Sequence, residues 1–359
     1  MKEIRKIIED YDLNKSHLSC ALVSVVHVDG SSYRRIGARM LVYENGICLG
    51  GISGGCIEGD ALRKAQKVIF DKIPKVIRYD TTEEDASQIG VGLGCQGIID
   101  VLITPLDPSD DNNPIEILRA SLDKRKLQTL LTIIEHKSDD SLNGSMYLYE
   151  EEGDLSTISY SVYRKAIIKC FEEKKSQIFE NEEIKFSVQI LKPDISLIMM
   201  GHQYDTYPLT RIANEIGWQT TIIGNLLKLG KPSAFEANNV IDQNDHWPEM
   251  DPYTAVVIMA HDFETDLRNL QRLEHYHLNY IGLLGPKSRA EMLLSKIPQS
   301  FLNSQIQNIF GPAGLDIGAN TPEEISLSII AEIRTHFSKR EGGFLKFRKG
   351  TIHEREVGY

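Results

Sequence analysis

The sequence is poor in cysteine, in long apolar runs and in positive charge. Its five cysteines are odd in number and widely spaced, so a secreted disulfide framework is not expected and the thiols are predicted to be reduced. No stretch reaches the roughly 18 uninterrupted apolar residues of a membrane span, and the N-terminus lacks the apolar core of a secretory signal. These absences predict a cytoplasmic protein with no membrane contact. The cysteines are Cys20, Cys48, Cys56, Cys95 and Cys170.

Positive charge is in deficit, because 40 Lys and Arg stand against 51 Asp and Glu and leave a formal net charge of -11. Binding to nucleic acid needs clustered Lys and Arg, so no nucleic-acid partner is expected. Metal-ligand spacings are also missing, since the chain has no C-x-x-C and no H-x-x-x-H pair. A bound structural metal is therefore not predicted.

The chain is long enough for two packed domains. It has 359 residues, 41% of them apolar, and domains usually hold roughly 100 to 200 residues. Residues 1–192 mix helical patterns with strand-like runs and predict an α+β domain. From residue 193 to 340, strands alternate with helices, which predicts a Rossmann-like, doubly wound parallel sheet. The expected class is thus α/β, with a polar tail at 341–359.

Two of the cysteines lie in glycine-rich segments. Cys56 precedes a helical pattern over residues 57–70, and a helix N-terminus lowers the pKa of a thiol. Cys95 precedes a strand-like run over residues 98–104. Because glycine leaves room for a ligand to approach the backbone, both thiols are predicted to be exposed and functional; the alternative for each is a small buried apolar residue. The candidate site residues of these segments are Gly54, Gly55, Cys56, Gly94, Cys95 and Gln96.

Several strings of the sequence resemble the XdhC/CoxF group, the accessory factors of xanthine dehydrogenase and related molybdenum hydroxylases. In the first domain they are GSSYRRIGARM (30–40), GGISGGCIE (50–58) and GLGCQG (92–97). In the second domain they are AHD (260–262), YIGLLG (280–285) and GLDIGANTPEE (314–324). The resemblance covers nearly the whole chain apart from the tail.

The resemblance implies a cofactor chaperone rather than an enzyme. Such a protein binds molybdenum cofactor transiently, supports its sulfuration by a cysteine desulfurase and delivers it to a xanthine dehydrogenase-type hydroxylase. It implies that Cys56 and Cys95 contact the cofactor, although Gln96 stands where the group has glycine. Arg35 and Arg39 are expected near a phosphate of the cofactor, and the alternative for both is a solvent-exposed side chain beside a strand. A homodimer would bring two such sites together, although no sequence feature specifies one.

The second domain departs from the nucleotide-binding pattern. Of the group's Gly-Ala-Gly-His turn only Gly201 is kept, and Gln203 obstructs the approach of a pyrophosphate. Ordinary NAD(P) binding is therefore not expected, and an NAD(P)-dependent oxidoreductase is the alternative function. His261 and Asp262 follow a predicted strand, where doubly wound sheets bind ligands. For Asp262, capping of a helix is an equally supported interpretation.

Overall fold

A computed structural model of the chain describes residues 1–30, 32–55, 57–80, 97–150, 161–228 and 235–348. The chain divides into two compact units, Met1–Pro193 and a second unit that begins at Asp194. Across these described ranges, none of the helices has both the length and the apolar character that crossing a membrane requires.

The first unit contains two antiparallel sheets. Five strands follow the order β3-β2-β1-β5-β4, and four follow the order β7-β6-β9-β8. The strands are β1 (Cys20–Gly30), β2 (Arg39–Tyr43), β3 (Cys48–Gly50), β4 (Lys75–Asp80), β5 (Gly97–Pro105), β6 (Gln128–His136), β7 (Met146–Glu150), β8 (Gln177–Glu180) and β9 (Ile184–Leu191). The helices are α1 (Lys2–Asn14), α2 (Glu58–Asp71), α3 (Pro114–Ala120) and α4 (Ser161–Glu173).

Side chains that alternate along the strands divide the first unit into layers. On β1, Ala21 and Val23 pack with Ala61 of α2, whereas Leu22 packs with Leu130 of the second sheet. Helix α4 covers the other face of the second sheet. The two sheets therefore lie face to face, with one helix on each outer face. Full burial of each Leu or Val contributes about 1.5 to 3 kcal/mol, which favours this layering.

The second unit is built on a six-stranded parallel sheet with the order β12-β11-β10-β13-β14-β15. This order is that of a Rossmann fold, so the predicted fold class is confirmed. The strands are β10 (Ser196–Met200), β11 (Gln219–Gly224), β12 (Asn239–Asp242), β13 (Thr254–Ile258), β14 (Tyr280–Leu283) and β15 (Ile309–Phe310). The helices are α5 (Thr206–Glu215), α6 (Phe263–Arg272), α7 (Lys287–Ser295), α8 (Gln299–Gln305) and α9 (Pro322–Phe337).

Both faces of the parallel sheet are covered. Helices α5 and α9 pack on one face, and α6, α7 and α8 pack on the other. All of β13 is buried as a result, which explains its continuous apolar sequence. The last strand, β15, is only two residues long, because residues 306–308 form a 3-10 turn.

Candidate functional site

The connection between β1 and β2 joins the glycine-rich segments of the first unit. At one end of it, Gly30, the last residue of β1, pairs with Gly97, the first residue of β5. Gly50 ends β3 beside the start of β2, and by the strand register it is level with Ile103, six residues along β5 from Gly97. The connection covers this distance, and its Tyr33 lies beside the 50–55 turn. The string at 30–40 therefore touches both the start of β5 and the string at 50–58.

Four predicted site residues cannot be placed in this geometry. The described ranges in this part of the chain are 32–55, 57–80 and 97–150. The shared site of the two cysteines stays a prediction. Outside the described residues lie Cys56, Gly94, Cys95 and Gln96.

The turn over residues 50–55 depends on glycine at two points. Gly50 has φ +88°, and a Cβ atom there would lie 2.5 Å from the carbonyl oxygen of Arg39. Gly55 has φ +109°, and no atom of the described residues lies within 4 Å of its Cβ position. A Cβ on Gly54 would be 3.7 Å from the ring of Tyr33, whose side chain is 70% exposed. The turn is thus tight against β2 on one side and open on the other.

A single carboxylate holds this turn against the start of α2. Glu58 accepts hydrogen bonds from the backbone N–H of Ser53 (2.8 Å) and from its hydroxyl. The Ser53 hydroxyl in turn accepts from the N–H of Gly55 at 3.2 Å. Burial raises the pKa of Glu58, but the hydrogen bonds from Ser53 outweigh it and leave the pKa below its usual value. Glu58 is therefore ionised at neutral pH and orders the segment that precedes Cys56.

Arg39 lies inside the first unit. Its side chain is 2% exposed, so the alternative of a solvent-exposed arginine is wrong. One guanidinium nitrogen donates to the carbonyl of Gly37 (2.8 Å) and the other to Oε1 of Gln189 on β9 (2.7 Å). Burial lowers the pKa of Arg39 to about 10, which still leaves it protonated at neutral pH. The arginine thus joins the two sheets beside the 50–55 turn.

A second charged cluster lies between the same sheets. Asp100 on β5 is 1% exposed and accepts two hydrogen bonds from Arg78 on β4, at 2.8 and 3.0 Å. Lys185 of β9 lies 3.4 Å from the carboxylate, and Nδ1 of His27 lies 3.3 Å from it. Burial alone would raise the pKa of Asp100, but Arg78 and the other cations lower it. The carboxylate is therefore ionised and fully compensated.

In the second unit, Gly201 brings the ends of two central strands together. A Cβ atom there would lie 2.3 Å from the carbonyl oxygen of Met259, which follows β13. The N–H of Gly201 donates to Ile223 of β11 at 3.0 Å. Close packing of β10 against β13 therefore requires this glycine, independently of any bound phosphate. The edge is the point where the strand order reverses, at which doubly wound sheets bind ligands.

His261 and Asp205 form a pair across this reversal point. Nε2 of His261 and Oδ2 of Asp205 are 2.6 Å apart. His261 has φ +60°, an uncommon conformation for a residue with a side chain, and its side chain is 51% exposed. Asp205 stands immediately before α5, where a carboxylate complements the helix dipole. The position at which a Rossmann fold usually receives a pyrophosphate thus already holds the carboxylate of Asp205, bound to His261.

Asp262 caps a helix, as one of its two interpretations predicted. Its Oδ2 accepts from the N–H of Thr265 (2.9 Å) and from the Thr265 hydroxyl (2.6 Å) at the start of α6. Further into α6, Asp266 is 1% exposed and accepts from Arg289 (2.7 Å) and from the N–H of Ala260 (2.9 Å). Burial raises the pKa of Asp266, and the bond from Arg289 offsets part of the increase. These contacts fix the backbone that carries His261.

Two family models match the chain. The model described as the XdhC Rossmann domain matches residues 197–333, and the model of the XdhC and CoxI family matches residues 13–80. A Bacillus subtilis protein, whose name describes a probable subunit of xanthine dehydrogenase, is 30% identical over 322 residues, which are 87% of this chain and 91% of that protein. The chain belongs to the XdhC family. The matching model names CoxI, whereas the resemblance in the sequence had pointed to CoxF.

Two further proteins are similar to the chain over most of their length. The molybdenum cofactor insertion chaperone PaoD of Escherichia coli is 22% identical over 315 residues, 87% of this chain and 81% of that one. A crystal structure described as a xanthine dehydrogenase from Bacillus halodurans superposes with a TM-score of 0.71 at 28% identity, covering 95% of this chain and 97% of that one. The match at 13–80 contains the 50–55 turn of this XdhC chain, and the match at 197–333 contains most of its parallel sheet.

Sequence reasoning missed the side chains that hold these elements in place. Glu58 had a detectable signal, because an acidic residue in the first turn of a helix complements the helix dipole. Asp100 also had one, since an acidic residue inside an apolar strand requires a partner when it is buried. Asp205 had no comparable signal, because its partner His261 lies 56 residues away along the chain.

Proposed function

We propose that this chain is a molybdenum-cofactor insertion factor that carries the cofactor to a xanthine dehydrogenase-type hydroxylase. The observation that carries the proposal is that the string at 30–40 joins the other glycine-rich strings, since Gly30 pairs with Gly97 and Tyr33 lies beside Gly54. The names of two relatives agree with it, since one is a molybdenum cofactor insertion chaperone and the other is described as a probable part of xanthine dehydrogenase.

The residue types of these strings suit such a cargo. In molybdenum cofactor the metal is bound by the sulfurs of a pterin dithiolene, and cysteine thiolates are sulfur ligands of the same soft class. In the proposal Cys56 and Cys95 contact the cofactor, with Gln96 and Gly94 beside Cys95. Gly55 supports it, because the space around its Cβ position is open among the described residues and admits a bulky ligand to the backbone.

The proposal extends to the maturation step. The bound cofactor would be held while a cysteine desulfurase supplies its terminal sulfur, and then passed to the apo-hydroxylase in the cytoplasm. A homodimer would present two such sites to the partners. These steps are tested by co-purification of the chain with the desulfurase and the hydroxylase, and by sedimentation of the chain alone.

Pterin analysis tests cofactor binding directly. The chain is purified from a host that makes molybdenum cofactor, and bound pterin is oxidised and measured by fluorescence. We expect pterin on the wild type and clear loss in Cys56→Ser and Cys95→Ser, with Cys48→Ser as the control because Cys48 is an exposed thiol on β3, before the turn begins. Absence of pterin under every loading condition would refute the function. Equal loading of both variants would remove the cysteines from the site.

The Rossmann strand order favours a second candidate, an NAD(P)-dependent oxidoreductase. Two features oppose it: Gln203 in the first turn, and the Asp205 carboxylate before α5, which repels a pyrophosphate. Titration with NADH and NADPH, followed by nucleotide fluorescence, distinguishes the candidates. We expect no saturable signal, and saturable binding would favour the oxidoreductase.

A further inference from the structure

The layer between the two sheets of the first unit holds a group of polar side chains between two apolar clusters. On β1, Leu22 belongs to one apolar cluster, and Ser24 faces the same way two residues later. On β9, Leu191 is apolar and Gln189, two residues earlier, binds Arg39. A second apolar cluster of β1, β5 and β6 side chains lies further along the strands. The polar part therefore lies at the start of β2, close to the 50–55 turn.

Two neighbouring donors in this polar part have no hydrogen-bond partner in the described part of the chain. They are Nε of Arg39 and the hydroxyl of Ser24, and the two side chains are 2% and 3% exposed. Ser24 and Arg39 are direct cross-strand partners, so their side chains start about 5 Å apart on one face of the sheet. The connection between β1 and β2 adds two more buried, unpartnered groups, Nε of Arg35 and the hydroxyl of Ser32. Buried polar groups are normally paired, so a cluster of this kind requires an explanation.

The charge of Arg39 is also uncompensated. Among the described residues no carboxylate oxygen lies within ion-pair distance of it, and Glu3, the carboxylate that acts on it electrostatically, pairs with Arg34 at 2.6 Å. The same layer pairs its other charges, since Arg78 and Lys185 share the buried Asp100. An unpaired buried cation is unfavourable, so this site has an electrostatic requirement for an anion.

We propose that this polar part of the inter-sheet layer is an oxyanion site, in which Arg39 Nε and Ser24 Oγ donate to a phosphate monoester. Arg35 is the least buried of the four unpartnered residues and belongs to a connection whose Tyr33 is 70% exposed. The inference rests on the proposed function in one respect: the ligand is the terminal phosphate of the cofactor. Arg39 and Ser24 would hold that phosphate, and the 50–55 turn, which begins beside Arg39, would border the rest of the cofactor.

The ligand class follows from the donor set. The orphaned group of Arg39 is a charged donor, and charged donors form their strongest hydrogen bonds with carboxylates and phosphates. A serine hydroxyl supplies a further donor without bulk, which suits a tetrahedral oxyanion with several acceptor atoms. Free inorganic phosphate has the same chemistry, so the experiment must separate it from the cofactor.

Titration calorimetry of the full, cofactor-free chain with inorganic phosphate tests the site. We expect saturable binding by the wild type, and Kd about tenfold higher or more in Ser24→Ala and in Arg39→Lys, because each loses one donor to a charged ligand. Arg34→Gln is the matched control, since it removes a positive charge from the same connection while Arg34 binds Glu3. Its Kd should change by less than about twofold, as expected for a partly exposed charge.

Circular dichroism and thermal melting establish that the variants are folded. If Arg39→Lys does not fold, Ser24→Ala and Arg35→Gln carry the test. Absence of phosphate binding by the wild type, or equal Kd in all folded variants, overturns the site.

Pterin loading separates this inference from the proposed function. Millimolar phosphate should compete with the cofactor for the wild type, and Cys56→Ser should lose pterin while keeping its phosphate Kd. If the chain carries pterin and neither phosphate nor Ser24→Ala changes the amount bound, the proposed function is supported and the oxyanion site is refuted. Phosphate bound through Ser24 and Arg39 by a chain that never carries pterin refutes the function and assigns the site to free phosphate.

Discussion

At the scale of the residue, Glu58 connects the glycine turn to a helix. Its carboxylate accepts two hydrogen bonds from Ser53, and the Ser53 hydroxyl accepts one from Gly55. A glycine-rich turn is conformationally free by itself. The hydrogen bonds that order the residues before Cys56 therefore need an ionised Glu58. We expect their contribution to stability to depend on pH.

Glu58→Gln should destabilise the first unit by about 1 to 2 kcal/mol at pH 7, because hydrogen bonds to a charged group are lost. The folded pKa of Glu58 lies below the ordinary value of 4.5, so its stabilisation is present above pH 4.5 and is lost as the pH falls through the folded pKa. Urea unfolding from pH 7 down to pH 3 measures it. Glu9→Gln, on the exposed side of α1, is the control. A difference that does not shrink in acid would contradict this role.

Arg289→Met should cost about 3 to 5 kcal/mol at pH 7, because it leaves the buried Asp266 carboxylate without its cation. The folded pKa of Asp266 is already raised by burial and rises further without Arg289, so the variant takes up a proton as the pH falls. The deficit relative to the wild type should therefore be smaller at pH 5 than at pH 7. Chemical unfolding at the two pH values checks this, with the exposed Arg268→Met expected to change little.

At the scale of the element, the start of α9 shows how much a short pattern can specify. The sequence Thr321-Pro322-Glu323-Glu324 is typical of a helix start with a capping box, and in the structure Thr321 is the N-cap, Pro322 is the first helical residue and Glu324 completes the box. The pattern is local, since both partners of each hydrogen bond lie within four residues. Three edge strands, β4, β8 and β12, have no comparable pattern, because they are short and only half of their residues are apolar.

Thr321→Ala should destabilise the second unit by about 1 kcal/mol, because it removes the side chain that accepts from the N–H of Glu324. Thr321→Ser keeps the hydroxyl and should retain most of the stability. Thermal melting of the two variants beside the wild type is the measurement. Equal losses in both would show that the methyl group, and not the cap, matters.

At the scale of the whole molecule, each unit has its own hydrophobic cores. In the described residues, every cluster of buried apolar side chains falls within Met1–Pro193 or within the second unit. Independent cores are the physical requirement for independent folding. We therefore expect each unit to fold by itself.

Residues 1–193 expressed alone should give a folded protein with cooperative unfolding, because no core is cut. Residues 1–124 are the control, since they lack β6 and β9 and so lose Leu130 and Leu191 from the core between the sheets. Dispersed amide signals in a two-dimensional NMR spectrum should appear for the first fragment and not for the second. A disordered 1–193 fragment would show that it needs the second unit.

The sequence by itself determined the features whose signals are local. Apolar periodicity and turn residues specified the alternating strands and helices of the second unit, and the glycine strings marked the segments that the connection between β1 and β2 joins. Tertiary structure decided which distant side chains meet: Arg39 with Gln189, and His261 with Asp205. Such pairs depend on strand order and register, which bring together residues up to 150 positions apart. For that reason the solvent-exposed alternative for Arg39 could be rejected only once β9 was in place.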